Sequence, residues 1–245
     1  MNEIDNLLGI LEDTDAPKSE VVLEDTSAAS PEQAKAEPVT EPVKGGKVDL
    51  WQAHIAPVAV DKETLLRFNR MFTVVTHGEV PGEISLLIEQ ISKLLLTKGF
   101  TFRYDGNNKD TASTKAYQTC KSRCEIYLPW KGFNKDVTAK LNKPSEKAYG
   151  YASGFHGGFN KIPSSVRAIV AHNVHVLLGD ECNTPVNLFI TYTTDGAEVK
   201  ADVKYETTGP VSFFITACDA LDIPVFNLKN PTAKERIVEF LNTLK

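Results

Sequence analysis

The hydrophobic positions of this 245-residue chain change their period repeatedly after residue 71. Short apolar runs typical of buried strands alternate with segments in which apolar side chains recur every three or four residues, as on one face of an amphipathic helix. The predicted strands cover 72–76, 100–104, 125–128, 187–192 and 223–226. The predicted helices cover 83–98, 111–122, 164–178, 208–221 and 231–244.

Strands that alternate with helices indicate an α/β domain on a mostly parallel sheet. Because crossovers between parallel strands are right-handed, helices cover both faces, and we expect a three-layer Rossmann-like sandwich over 72–245. The segment 129–163 interrupts the alternation, and its many glycines predict an irregular insertion without a regular element. Residues 48–71 contain several large apolar side chains and are expected to pack on the core as an N-terminal extension.

The N-terminal residues differ in composition from the rest. Residues 1–47 contain 11 acidic and 4 basic side chains, a net charge of −7, whereas residues 48–245 contain 21 acidic and 23 basic side chains, a net charge of +2. Residues 12–47 are rich in Glu, Asp, Pro, Ala and Ser and contain no aromatic residue, which predicts a disordered acidic linker. Neither part has the strong basic excess of a DNA-coating protein.

The first eleven residues carry apolar side chains on one face of a potential helix. This pattern is typical of a short amphipathic helix that recruits a protein partner, and it also fits a terminal segment with no role. The residues that would contact the partner are Ile4, Leu7, Leu8 and Leu11.

Cysteine spacing and hydropathy restrict the class of protein further. No signal peptide or membrane-length apolar run is visible, so a cytoplasmic protein with reduced thiols and no membrane contact is expected. Cys120 and Cys124 are four residues apart, but no second Cys or His pair at ligand spacing accompanies them. His172 and His175 fall in a different predicted helix. The sequence therefore predicts neither a metal site nor a cofactor.

The loops that follow the predicted strands are the candidate site, because the carboxyl ends of parallel strands share one edge, where ligands bind. Trp130 has the ring to stack on a base, and Lys109 and Lys131 have the charge to contact phosphate. Trp130 beside Pro129 also fits a residue that simply covers the core. No catalytic residue is identified, because the Gly-x-Ser-x-Gly elbow, the phosphate loop and the dinucleotide fingerprint are all missing from the sequence.

Several segments occur in an order that resembles one family. They are His77-Gly78, the loop 105–110, Ile-Tyr-Leu-Pro-Trp-Lys-Gly-Phe-Asn at 126–134, 173–179, Thr184-Pro185, 192–196 and Ile-Pro-Val-Phe-Asn-Leu at 223–228. In these features the chain looks like a phage-encoded member of the SLOG superfamily. That superfamily includes the DNA-processing protein A (DprA) family and the lysine-decarboxylase-like LOG proteins. The resemblance covers about residues 72–230.

The resemblance implies a site for a nucleotide-type ligand or single-stranded DNA at the strand carboxyl edge. For a phage-encoded protein it also implies a location in the cytoplasm of the host cell. The chain departs from the family pattern in the glycine-rich loop after the second strand, where Gly106 alone matches and Lys109 stands where a glycine would admit phosphate. The loop is therefore degenerate. The candidate ligand-binding residues are His77, Gly78, Gly106, Asn107, Asn108, Lys109, Trp130, Lys131, Asn173, Thr194, Asp195, Thr208 and Gly209.

Three functions follow from these observations. The first is a non-enzymatic protein that binds a nucleotide-type ligand or single-stranded nucleic acid. The second is a scaffold with a vestigial pocket, which recruits a replication, transcription or virion partner through residues 1–11. The third is a nucleotide-processing enzyme, which only the analogy of fold supports. The LOG signature Pro-Gly-Gly-x-Gly-Thr-x-x-Glu, with its catalytic Glu, is absent, and this argues against phosphoribohydrolase activity.

Overall fold

A computed structural model describes residues 69–106, 111–135 and 138–243 of the chain. The expectations for the helix 1–11, the linker 12–47 and nearly all of the extension 48–71 lie outside these residues. The same holds for Asn107, Asn108 and Lys109. Met71, which was assigned to the extension, is the first residue of the first strand.

The described residues form five strands and seven helices. The strands are β1 Met71–Thr76, β2 Thr101–Tyr104, β3 Cys124–Ile126, β4 Leu188–Tyr192 and β5 Val225–Asn227. The helices are α1 Gly82–Thr97, α2 Thr111–Cys120, α3 Glu146–Phe155, α4 Ser164–Leu178, the single turn α5 Tyr205–Thr208, α6 Val211–Ala220 and α7 Ala233–Thr243.

The five strands form one sheet in the order β3-β2-β1-β4-β5, and every pair is parallel. The central strand β1 pairs with β4 from Phe72 opposite Leu188 to Thr76 opposite Tyr192. The chain adds β2 and β3 on one side of β1 and then returns to add β4 on the other, so the strand order reverses between β1 and β4. The predicted three-layer Rossmann-like sandwich is confirmed, and its sheet is wholly parallel.

Aromatic side chains fill the face of the sheet that α2 covers. The rings of Phe72 and Phe102, on neighbouring strands, have centroids 5.1 Å apart. Tyr104 at the end of β2 stacks on Tyr117 of α2, with centroids 4.5 Å apart and planes within 5°. Such pairs add about 0.5–1.5 kcal/mol to the gain from burial alone.

The opposite face belongs to a larger apolar cluster formed with α3, α4 and α6. Alternation along the strands directs Val75, Phe189 and Val225 to this side. Phe189 stacks on Phe214 of α6 with centroids 5.5 Å apart. Residues 170–178 of α4 are all buried, so this helix lies deep between the sheet and α3.

A buried arginine connects β2 with β3 and α4. The Arg103 side chain is 2% exposed, and its Nε donates to Glu125 Oε2 at 3.1 Å. Its Nη1 donates to the carbonyls of Thr184 at 2.6 Å and Leu177 at 3.3 Å. Burial alone would raise the pKa of Glu125, but Lys140 and Arg103 together hold it below its ordinary value. The buried cation is therefore paired and hydrogen-bonded, as its burial requires.

The expectation of an irregular insertion over 129–163 is wrong for Glu146–Phe155, which form α3. Ser145 caps this helix by accepting a hydrogen bond from the amide of Ala148. Gly150 and Gly154, which suggested a loop, lie on its exposed side. The buried side shows helical spacing and consists of Ala148, Tyr151, Ala152 and Phe155.

The helix predicted over 208–221 begins slightly later, at Val211, because Thr208 belongs to α5. Gly209 adopts φ 57° and ψ −143°, which ends α5 and separates it from α6. None of the helices within 69–243 that the structure describes is long and apolar enough to cross a membrane.

Two glycines with the same open surroundings test the assignment of α3. A Cβ added at Gly150 or at Gly158 meets no atom within 4 Å, but Gly158 has φ 81°, whereas Gly150 lies inside the helix. Gly150→Ala should raise the free energy of unfolding by about 0.5–1 kcal/mol, because alanine loses less backbone entropy in a helix. Gly158→Ala, the matched control, should lower it by about 1 kcal/mol. Urea unfolding measures both, and equal effects of the two substitutions would contradict the helical assignment.

Candidate functional site

The carboxyl ends of β1 and β4 meet where the strand order reverses. The amide of His77 donates to the carbonyl of Tyr192 at 2.9 Å, which continues the pairing one residue beyond β1. Gly78, with φ 85°, faces Thr194, since a Cβ at position 78 would lie 3.6 Å from the Thr194 Cγ2. Predicted site residues more than 100 positions apart thus lie side by side.

Gly209 joins these residues from the turn before α6. A Cβ at this position would lie 2.3 Å from Nε2 of His77, so the imidazole packs directly on the glycine Cα. The Gly209 amide donates to the Tyr205 carbonyl at 3.0 Å, and its carbonyl accepts from the Ser212 amide at 3.1 Å. With φ at 57° as well, both the conformation and the contact require glycine.

Asp195 organises the loop between β4 and α5. Its carboxylate accepts hydrogen bonds from the hydroxyls of Thr193 at 2.6 Å and Thr207 at 2.7 Å, and also from Thr208. The amide of Ala197 adds a fourth at 3.2 Å. Partial burial opposes ionisation, but these donors outweigh it and hold the pKa of Asp195 at about 2. Two of the predicted ligand contacts, Asp195 and Thr208, are therefore hydrogen-bonded to each other in the structure.

Asn227, the last residue of β5, is hydrogen-bonded to the same loop. The sequence predicts it at this edge but not among the candidate ligand-binding residues. Asn227 is fully buried. Its Nδ2 donates to Thr193 Oγ1 at 2.7 Å and to the Ala197 carbonyl at 2.9 Å. Its Oδ1 accepts from the Lys229 amide at 3.1 Å. The signal in the sequence was an amide residue at the end of an apolar strand, on the edge that carries the site.

A second group of predicted residues lies at the ends of β2 and β3. Gly106 has φ 69°, and a Cβ there would lie 2.2 Å from the Leu128 Cδ2. Its carbonyl accepts a hydrogen bond from Asn134 Nδ2 at 2.8 Å. The space beside Gly106 is thus filled by an apolar side chain, so packing explains this glycine without a phosphate.

Trp130 and Lys131 are exposed beside this turn. Trp130 is 40% exposed, so it does not simply cover the core. Its ring meets Phe133 edge-to-face with centroids 5.0 Å apart, and Phe133 in turn lies 6.2 Å from the ring of His172. This contact fixes the Trp130 ring while leaving much of it accessible.

His172 lies between the aromatic turn and the end of β2. Its ring is buried, with Nδ1 2.5 Å from the Ile169 carbonyl and Nε2 3.0 Å from the Asp105 carbonyl. Burial lowers the pKa of His172 to about 4 against the opposing effect of these carbonyls. The ring is then neutral near pH 7 and donates to one carbonyl only. The adjacent Asn173, a predicted ligand contact, is buried within α4.

His175, one turn further along α4, contacts a serine and a cysteine. Its Nε2 accepts from the Ser145 amide at 3.0 Å, and its Nδ1 donates to the Gly179 carbonyl at 2.9 Å. Cys182 Sγ lies 3.6 Å from Nδ1, and burial raises the pKa of this thiol to about 11. Both ring nitrogens are occupied by backbone groups, so this trio supports the start of α3 and is not an activated nucleophile.

Two further thiols, those of Cys120 and Cys218, are buried. Burial raises the pKa of Cys120 to about 12 and that of Cys218 well above the ordinary value. Across 69–106, 111–135 and 138–243, no group of three or more His, Cys, Asp or Glu side chains is arranged to hold a metal ion.

Comparisons of the chain with protein-family models, with curated proteins and with solved structures found no match. The geometry of the carboxyl edge therefore carries the functional argument. It brings together His77, Gly78, Thr194, Asp195, Thr208 and Gly209 between β1 and β4. It leaves Gly106, Trp130 and Lys131 around the ends of β2 and β3, and Asn173 is buried within α4.

The Asp195 carboxylate gives a testable dependence of stability on pH. Because its folded pKa of about 2 lies below the ordinary value of 3.8, the stabilisation is complete above about pH 4 and is lost as the pH falls through about 2. Asp195→Asn should lower the free energy of unfolding at pH 6 by about 1–2 kcal/mol, after a discount for partial exposure. The deficit should shrink between pH 6 and pH 3 in urea unfolding.

Asp202→Asn is the control for this experiment. Asp202 is exposed in the turn Lys200–Asp202, so its substitution should change stability by less than about 0.5 kcal/mol. If the loss of unfolding free energy in Asp195→Asn stays constant from pH 6 to pH 3, the proposed role of the charged Asp195 carboxylate is contradicted.

Proposed function

We propose that this chain is a non-enzymatic, SLOG-like protein that binds a nucleotide-type ligand or the end of a single-stranded nucleic acid at the carboxyl edge of its sheet. One observation carries the proposal. The segments 77–78, 194–195 and 208–209 converge where the strand order reverses between β1 and β4. In open parallel sheets this reversal opens the crevice in which such ligands bind.

The exposed groups at the same edge support a ligand that combines a base with phosphate. Trp130 offers an accessible ring, and a stacked base contributes about 1–3 kcal/mol. Lys131 is exposed next to it. The helix α1 begins at Gly82, shortly after β1 ends at Thr76, so the positive end of its dipole lies at the carboxyl edge of the sheet and favours an anion.

The hydrogen bonds of two ionisable groups near the crevice, Asp195 and His172, argue against either group as a catalytic acid or base. Asp195 already accepts four hydrogen bonds from the loop around it. His172 is buried between two carbonyls. A general acid or base needs a position from which it reaches a substrate proton, and neither group has one.

Tryptophan fluorescence tests the proposal directly, because the chain contains two tryptophans. Trp51→Phe leaves Trp130 as the sole reporter. Titration with ATP, adenosine and a ten-nucleotide oligothymidylate should give saturable quenching by at least one phosphate-bearing probe. Trp130→Ala should weaken the same probe about 5- to 150-fold in calorimetry, the equivalent of one stacked base. If none of the three probes changes the fluorescence up to millimolar concentration, the proposal is refuted.

A scaffold is the second candidate, because some of the edge is filled or apolar. Leu128 occupies the space beside Gly106, while Tyr205 is 74% exposed and Val199 is 42% exposed near the crevice. Exposed apolar side chains of this kind favour contact with a protein partner.

A pull-down from infected or host cells separates this candidate from the first. The full-length chain should capture partners that are lost when Leu7 and Leu8 are both replaced by Asp, because charges remove the apolar face proposed for residues 1–11. Tyr205→Ala tests the edge independently of the N-terminal segment. Identical partners for all three chains would remove both surfaces from the scaffold hypothesis.

A further inference from the structure

The His77 side chain is held in the crevice by backbone contacts but has free polar atoms. Its own amide is bonded to the Tyr192 carbonyl, and the Gly209 against which its ring packs is bonded at both amide and carbonyl. The imidazole is half-buried. Among the residues that the structure describes, no side chain or backbone group makes a hydrogen bond to its ring nitrogens.

The position of the ring determines what an entering ligand meets. The imidazole covers the Cα of Gly209, so a ligand between β1 and β4 reaches the ring before it reaches the backbone of the α5–α6 turn. On the other side, the Thr194 hydroxyl is exposed and makes only a long contact, 3.4 Å, with the Thr207 carbonyl. Two hydrogen-bonding side chains thus border the entrance, in place of bare backbone amides.

The nearby charged groups do not compete for the imidazole. Asp195 is occupied by threonine hydroxyls and the Ala197 amide. Glu79, two residues after His77, is exposed. The imidazole therefore has a ring nitrogen available to donate to an external acceptor, and a phosphate oxygen is a stronger acceptor than a neutral hydroxyl or carbonyl.

We propose that His77 is the ligand-contacting residue that determines specificity in this crevice, where its imidazole donates a hydrogen bond to a phosphate oxygen of the nucleotide-type ligand. This inference rests on the function proposed above. Under this proposal a side chain recognises the phosphate, in place of backbone amides flanked by glycines. The chain then distinguishes a nucleotide from its nucleoside through His77.

Three substitutions of His77 distinguish a side chain that donates a hydrogen bond from one that only fills the crevice. His77→Gln keeps an N–H donor, His77→Phe keeps the ring without a donor, and His77→Ala removes both. We expect ATP to bind His77→Gln within about 3-fold of the wild-type chain. His77→Phe and His77→Ala should each weaken ATP about 10- to 100-fold, the effect of losing one hydrogen bond to a charged group. Adenosine affinity should stay within about 2-fold in all of them, since it carries no phosphate.

Calorimetry of the full-length chain with ATP and adenosine gives the readout, and thermal unfolding verifies that each variant is folded. Tighter ATP binding by His77→Ala would overturn the inference by showing that the ring only blocks the crevice. Unchanged ATP binding by both His77→Ala and His77→Phe would overturn it while leaving the proposed function intact. A wild-type chain that binds neither ATP nor adenosine nor an oligonucleotide would refute the proposed function and this inference together.

Discussion

The guanidinium of Arg103 connects the parts of the chain on which the sheet depends. From β2 it pairs with Glu125 of β3. It also donates hydrogen bonds to a carbonyl at the end of α4 and to one in the loop that leads to β4. A cation with 2% exposure is tolerable only when all of these partners are present, and removing one partner of such a pair typically costs about 3–5 kcal/mol. The long crossover from β3 to β4 is therefore fixed by charge as well as by apolar packing.

This fixed crossover is what allows β4 to lie beside β1 and create the crevice. Within the crevice, the threonine hydroxyls around Asp195 and the buried amide of Asn227 hold the loop from β4 to α6. That loop carries Gly209 to the His77 ring. The residues that meet a ligand are thus few, and a larger set of hydrogen-bonded polar groups positions them.

Much of the fold was predictable because the spacing of hydrophobic residues follows the local geometry of helices and strands. The five strands and most helices lie near their predicted positions, but α3 was missed because Gly150 and Gly154 suggested a loop. Glycine on the exposed side of a helix lowers stability without preventing a helix whose other side is apolar. In the site, chain order placed His77 and Thr194 at one edge. Direct contacts such as His77 on Gly209 were not predictable, since they depend on the path of the loop in three dimensions.

Gly106 shows how packing alone can require a glycine. The 2.2 Å that would separate an added Cβ from the Leu128 Cδ2 makes the two positions mutually dependent. During divergence, position 106 gains freedom only after position 128 has become smaller, and even then the φ of 69° still favours glycine. The order of substitutions at these two positions is therefore constrained, whether or not a ligand binds beside them.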